Sequence, residues 1–115
     1  MTRARVIAPH RAPDRPPIRI APGDVVTLGA RDEEWPAFAW TTHANGLGGW
    51  VPASLFDREQ GTATAKVAYD TRELDVDAGE RLTLHRELAD WWWAENSGGA
   101  TGWIPARAFE RIEED

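Results

Sequence analysis

The chain has 115 residues, 42% hydrophobic and 28% charged, with 7 Trp, 10 Gly, 8 Pro and no Cys. That length fits one ordinary domain or two very small ones, and the lack of Cys excludes a disulfide framework, a thiol nucleophile and a cysteine metal site. The net charge of −6 falls wholly in residues 61–115, six basic against twelve acidic, while residues 1–60 balance seven against seven; a duplex-binding protein needs a basic stripe instead, so nucleic acid is not the expected partner.

In chain order, the first residues soon meet Pro9, His10 and Arg11, without the apolar stretch of a secretory signal. No run of 18 apolar residues follows, so no membrane span is expected. The expected location is the cytoplasm. Residues 11–17 then place Pro13 and Pro16 at PxxP spacing between arginines, either a rigid surface loop or a ligand-like segment. Ile18/Ile20 and Val26/Leu28 alternate with polar neighbours, as half-buried strands do. Gly23 stands at the turn between them. Trp35 precedes a further stretch, Asn45-Gly46 marks a hairpin tip, and Gly49-Trp50-Val51-Pro52 closes the first half.

The second half repeats the first. Gly102-Trp103-Ile104-Pro105 matches Gly49-Trp50-Val51-Pro52 at an offset of 53, and Leu74 to Glu80 matches Ile18 to Asp24 at 56. Trp91 matches Trp35 at 56, and Lys66-Val67 matches Arg5-Val6 at 61. Trp40 has no counterpart in this alignment. Residues 57–62 read as a linker. Ser97-Gly98-Gly99 marks a second hairpin tip, and residues 107–114 have room for one short helical turn.

Residues 65–112 resemble an SH3 (Src-homology 3) domain. The blocks that carry the likeness are Val67-Ala68-Tyr69-Asp70-Thr71, Glu73-Leu74-Asp75-Val76, Gly79-Glu80-Arg81-Leu82, Asp90-Trp91-Trp92-Trp93-Ala94 and Gly102-Trp103-Ile104-Pro105. The first copy is tied to the family through the repeat, and the pair is similar to bacterial tandem SH3-like proteins. The resemblance implies an all-β chain of two tandem SH3-like five-stranded small barrels, 1–58 and 62–115, that bind peptides and catalyse nothing. It also implies a groove receiving a polyproline-II ligand. The second copy keeps Tyr69, Trp91 and Pro105 of that groove, has Thr71 and Ala108 where tyrosines stand in the family, and retains Glu73 as the nearest acid. The first copy keeps Trp35 and Pro52, with Ala8 and His10 for the tyrosine pair and Leu55 for the late tyrosine.

The expected ligand-binding residues are therefore Tyr69, Trp91, Trp103, Pro105 and Glu73 in the second copy and Trp35, Trp50 and Pro52 in the first. Trp50 and Trp103 replace a family aromatic at the groove edge, and Glu73 or Asp90 would steer a ligand arginine. The expected partner is an extended peptide or protein segment, basic or proline-containing. Alternation puts Trp92 on the strand face opposite Trp91 and Trp93, so these rings either seal the contact between barrels or meet a partner. The alternative functions are a repeat binding cell-wall peptides and a structural, self-assembling pair of barrels. His10, His43 and His85 share no ligand spacing, and Asp75-Val76-Asp77-Ala78-Gly79 lacks the later carboxylates of a calcium loop. No metal, no cofactor and no catalytic residues are expected.

Overall fold

A computed structural model describes residues 2–112. The described residues form β1 (Thr2–Val6), β2 (Arg19–Ile20), β3 (Val25–Arg31), β4 (Phe38–Thr42), β5 (Gly48–Pro52), a 3-10 turn (Ala53–Leu55), β6 (Gly61–Thr64), β7 (Tyr69–Asp70), β8 (Arg81–Leu88), β9 (Trp91–Asn96), β10 (Thr101–Pro105), a second 3-10 turn (Ala106–Ala108) and β11 (Phe109–Ile112). The described residues are β-rich, with helix limited to those two turns. In place of the short helical turn expected within 107–114, the observed turn spans Ala106–Ala108 and residues 109–112 form β11, while Glu113 and Glu114 lie outside the described residues.

Period-two burial governs the strands. Ala4 and Val6 of β1, Val26 and Leu28 of β3, and Leu82 and Leu84 of β8 are buried, while their flanking neighbours lie at or near the surface. Gly23 and Gly79 adopt φ of +91° and +94° at equivalent turns, a region costly for any residue with a Cβ. The first turn is pinned from both sides. Ala21 N–H donates to Asp24 Oδ2 at 2.9 Å, and His43 Nε2 lies 3.1 Å from the same oxygen. These contacts, the amide first and the imidazole second, hold the Asp24 carboxyl below its usual range.

Two compact units result, Arg15–Thr71 and Met1–Asp14 with Arg72–Asp115. The first is continuous in sequence and the second is split. These units do not coincide with the contiguous halves 1–58 and 62–115, and the strand pairing gives the reason. The split unit holds a five-stranded antiparallel sheet of order β10-β9-β8-β1-β11. Its β1 comes from the first repeat, with Ala4 opposite Leu82 and Val6 opposite Phe109. The continuous unit holds a sheet of order β5-β4-β3-β6 and the pair β2-β7. Its β6 comes from the start of the second repeat, with Ala63 opposite Val26 and Ala65 bridging to Phe56. Each repeat's first strand therefore completes the other repeat's sheet. The pairings leave both sheets open, so the described residues form open antiparallel β-sheets and not the two closed barrels expected from the sequence.

Burial and charge both favour this exchange. Ala4 and Val6 enter one core with Leu82, Leu84, Ile104 and Phe109, and a buried Val contributes about 1.5–3 kcal/mol. The first 14 residues carry Arg3, Arg5 and Arg11, and they land on the acidic repeat. Arg5 pairs with Glu110 and Arg11 with Asp77. Arg11 also donates to the Val76 carbonyl at 2.6 Å. Exposed pairs contribute only about 0–1 kcal/mol each, so burial supplies the stability while the charges favour this partner over the other.

Candidate functional site

In the continuous unit, β7 lies on β2 with Tyr69 opposite Ile20 and Asp70 opposite Arg19. Tyr69 is 6% exposed. It therefore shares a unit with Trp35, Trp50 and Pro52, and not with Trp91, Trp103, Pro105 and Glu73 as the contiguous reading had it. Thr71 lies over β5, where a Cβ on Gly49 would stand 3.2 Å from its methyl. Trp35 sits in the loop before β4. Its backbone N–H donates to Asp32 Oδ1 at 3.0 Å and its indole N–H to Glu34 Oε1 at 3.0 Å. The ring is half-buried.

Register corrects the repeat alignment here. Phe38 stands opposite Pro52 just as Trp91 stands opposite Pro105. The strand counterpart of Trp91 is thus Phe38, and Trp35 lies in the preceding loop. Likewise Trp40 faces Trp50 as Trp93 faces Trp103. Trp40, unmatched in the sequence alignment, is the counterpart of Trp93. Both pairs meet edge to face, with ring centroids 5.2 Å apart at 77° for Trp40–Trp50 and 5.3 Å at 73° for Trp93–Trp103, the favoured geometry for aromatic quadrupoles.

In the split unit, His10 exchanges both backbone hydrogen bonds with Val76. That is the place Tyr69 holds against Ile20 in the other unit, so His10 corresponds to Tyr69 rather than to Thr71. His10 Nε2 lies 2.8 Å from Glu73 Oε1, and its ring stands edge-on to Trp91 at 5.6 Å. Both His10 and Glu73 are largely covered, and Trp91 is half-buried. His10, Glu73, Trp91 and Pro105 thus form one cluster, assembled from both repeats. Trp103 is only 2% exposed, beneath Trp93 and with the Arg86 guanidinium 5.5 Å from its centroid. Its ring supports the strand pair and offers no free face for stacking.

Trp92 packs against the buried core of its own unit, and Arg111 covers it at 4.6 Å. Ala89 and Asp90, both at positive φ, form the two-residue turn that delivers Trp91. Asp90 N–H donates to Glu87 Oε2 at 2.8 Å, and Ala106 N–H donates to the Asp90 carbonyl at 2.9 Å, which ties that turn to the end of β10. Among the described residues no group of three His, Cys, Asp or Glu side chains is arranged to hold a metal ion.

The sequence reading missed His10 as a partner of Trp91, and it missed Trp40. The signal was present in the alternation. Ala4-x-Val6 and Ala63-x-Ala65 share a buried pattern, and aligning them places His10 on Tyr69.

Residues 67–106 match the family model of the SH3 domain. No solved structure matches the chain. The match supports an SH3 domain, a non-catalytic module that binds peptides. It also spans the exchange point, since residues 67–71 lie in the continuous unit and 72–106 in the split one.

Proposed function

We propose that this chain is a non-catalytic interaction protein with two SH3-like units in tandem, each binding an extended, proline-containing or basic peptide along an aromatic groove. In the split unit the groove is lined by Trp91, Pro105, His10 and Glu73. In the continuous unit the rings open to a ligand are Trp35 and Trp50, both half-buried, while Pro52 and Tyr69 are buried in the same unit. The observation that carries the reading is the half-buried Trp91 beside His10 and Glu73, within a stretch that matches the SH3 domain. A polyproline-II segment has already lost most of its conformational entropy, so its prolines pack between fixed rings at little further cost. The Glu73 carboxylate, held by His10, offers a ligand cation its counter-charge.

The test is a titration of the isotope-labelled chain with pooled proline- and arginine-rich peptides, read at the indole N–H signals. The expected result is a set of shifts centred on Trp91 and Trp35. Trp91→Ala is expected to weaken binding by roughly 2 kcal/mol, the loss typical of a buried aromatic hot spot. A folded Trp91→Ala variant with undiminished affinity for the selected peptide would remove the split-unit groove from this account.

A further inference from the structure

The sheet of the split unit has two faces of opposite character. Ala4 and Val6 of β1 and Leu82 and Leu84 of β8 lie in the core, so alternation turns Arg3, Arg5, Arg81 and Thr83 to the other side. The three arginines are exposed and Thr83 is half-buried. Register sets these four in a grid, with Arg3 opposite Thr83 and Arg5 opposite Arg81. Directly opposed residues stand about 5 Å apart between Cβ atoms, and alternate residues of one strand about 7 Å apart.

Charge sets this grid apart from an ordinary solvated face. Arg5 and Arg81 are like charges directly opposed, a placement that costs stability. The chain as a whole carries −6, yet three guanidinium groups meet here. Glu110 pairs with Arg5 from the far side, and Glu95, the acid opposite Thr83, is engaged by His85 Nε2 at 3.1 Å. The grid also stands on inner strands, since β1 lies between β8 and β11, and β8 between β9 and β1. A site on such strands is held more precisely than one on a loop.

We propose that this face docks an extended acidic segment of a partner protein, with carboxylates at alternate positions. Every second side chain of an extended segment points the same way, at the spacing that separates Arg3 from Arg5. A guanidinium takes a carboxylate through two parallel N–H···O bonds, and the Thr83 hydroxyl adds a donor. The charge of the segment offsets the repulsion among the arginines. The face is separate from the rings proposed to receive a basic or proline-containing peptide, so either reading can fail alone.

The experiment titrates acetyl-Glu-Ser-Glu-Ser-Glu-amide into the labelled full-length chain at low ionic strength, where exposed charges are little screened. The expected result is a set of shifts at Arg3, Arg81 and Thr83, with the indole signals of Trp35 and Trp91 unmoved. Replacing the three Glu of the peptide by Gln is expected to abolish the shifts. Placing the three Glu consecutively is expected to weaken binding, because successive side chains then point apart. Arg3→Gln with Arg81→Gln is expected to weaken binding at least fivefold while the Ala4–Leu82 methyl contact persists, which shows the fold intact. Arg15→Gln with Arg58→Gln removes the same charge from exposed positions of the continuous unit and is expected to change affinity less than twofold. Equal losses in the two double variants would reduce the effect to net charge and overturn the proposal. So would an unmoved Arg3, Arg81 and Thr83, or tighter binding there of a single-stranded oligonucleotide of equal charge. A dimer of the unaltered chain that Arg3→Gln with Arg81→Gln dissolves would assign the face to a second copy and overturn it as well.

Discussion

At the scale of single residues, Asp24 shows how a turn is fixed by its acceptors. Its carboxylate takes the Ala21 N–H and sits beside His43, and both favour the ionised form. A carboxylate with a lowered folded-state pKa contributes stability that is complete above the unfolded value of 3.8 and is lost as pH falls through the folded value. The stability gap between the unaltered chain and Asp24→Ala is therefore expected to be larger at about pH 5 than at about pH 3. Urea unfolding at the two pH values checks this, and a gap that widens on acidification would contradict it. His10 makes a different point. In sequence it is a lone histidine before a proline-rich stretch, and nothing local marks it. Its role beside Trp91 and Glu73 depends on a pairing with Val76, 66 positions further along.

At the scale of elements, the β8–β9 hairpin is bent by a turn that its sequence does not favour. Ala89 and Asp90 sit at φ of +53° and +69°. Asp tolerates the left-handed region better than Ala, whose Cβ meets the following carbonyl at a cost of about 1–2 kcal/mol. Ala89→Gly is expected to stabilise the chain by about 1 kcal/mol after glycine's own entropy cost. An unchanged or lower denaturation midpoint would show that the turn carries no such strain. The strands themselves were legible as alternation, and so were the glycine turns at Gly23 and Gly79 and the matching Gly-Trp-Val/Ile-Pro blocks. The partner of each first strand was not. Ala4/Val6 and Ala63/Ala65 present the same small buried pattern, and a backbone ladder carries no address of its own. The arginines on the first arm and the acids on the second repeat were visible as a charge imbalance, but only the pairing shows that one answers the other.

At the scale of the whole molecule, the chain divides into one unit continuous in sequence and one assembled from the residues before and after it. Within the continuous unit, Ile18 N–H donates to Thr71 Oγ1 at 2.8 Å and Thr71 N–H donates to the Ile18 carbonyl at 3.0 Å. That clasp holds the two points where the chain leaves the unit side by side. The first arm and residues 72–112 are thus presented to each other at high effective concentration, which offsets the long sequence separation of β1 from β8 and β11. The cluster of His10, Glu73 and Trp91 is consequently a composite of both repeats, and Tyr69 of the second repeat pairs with Ile20 of the first.

The most direct test of that exchange is a set of methyl nuclear Overhauser contacts in the labelled full-length chain. Cross-peaks from Ala4 to Leu82 and from Ala63 to Val26 are predicted by the observed register. Cross-peaks from Ala63 to Leu82 and from Ala4 to Val26 would instead return each first strand to its own repeat, and would contradict the account.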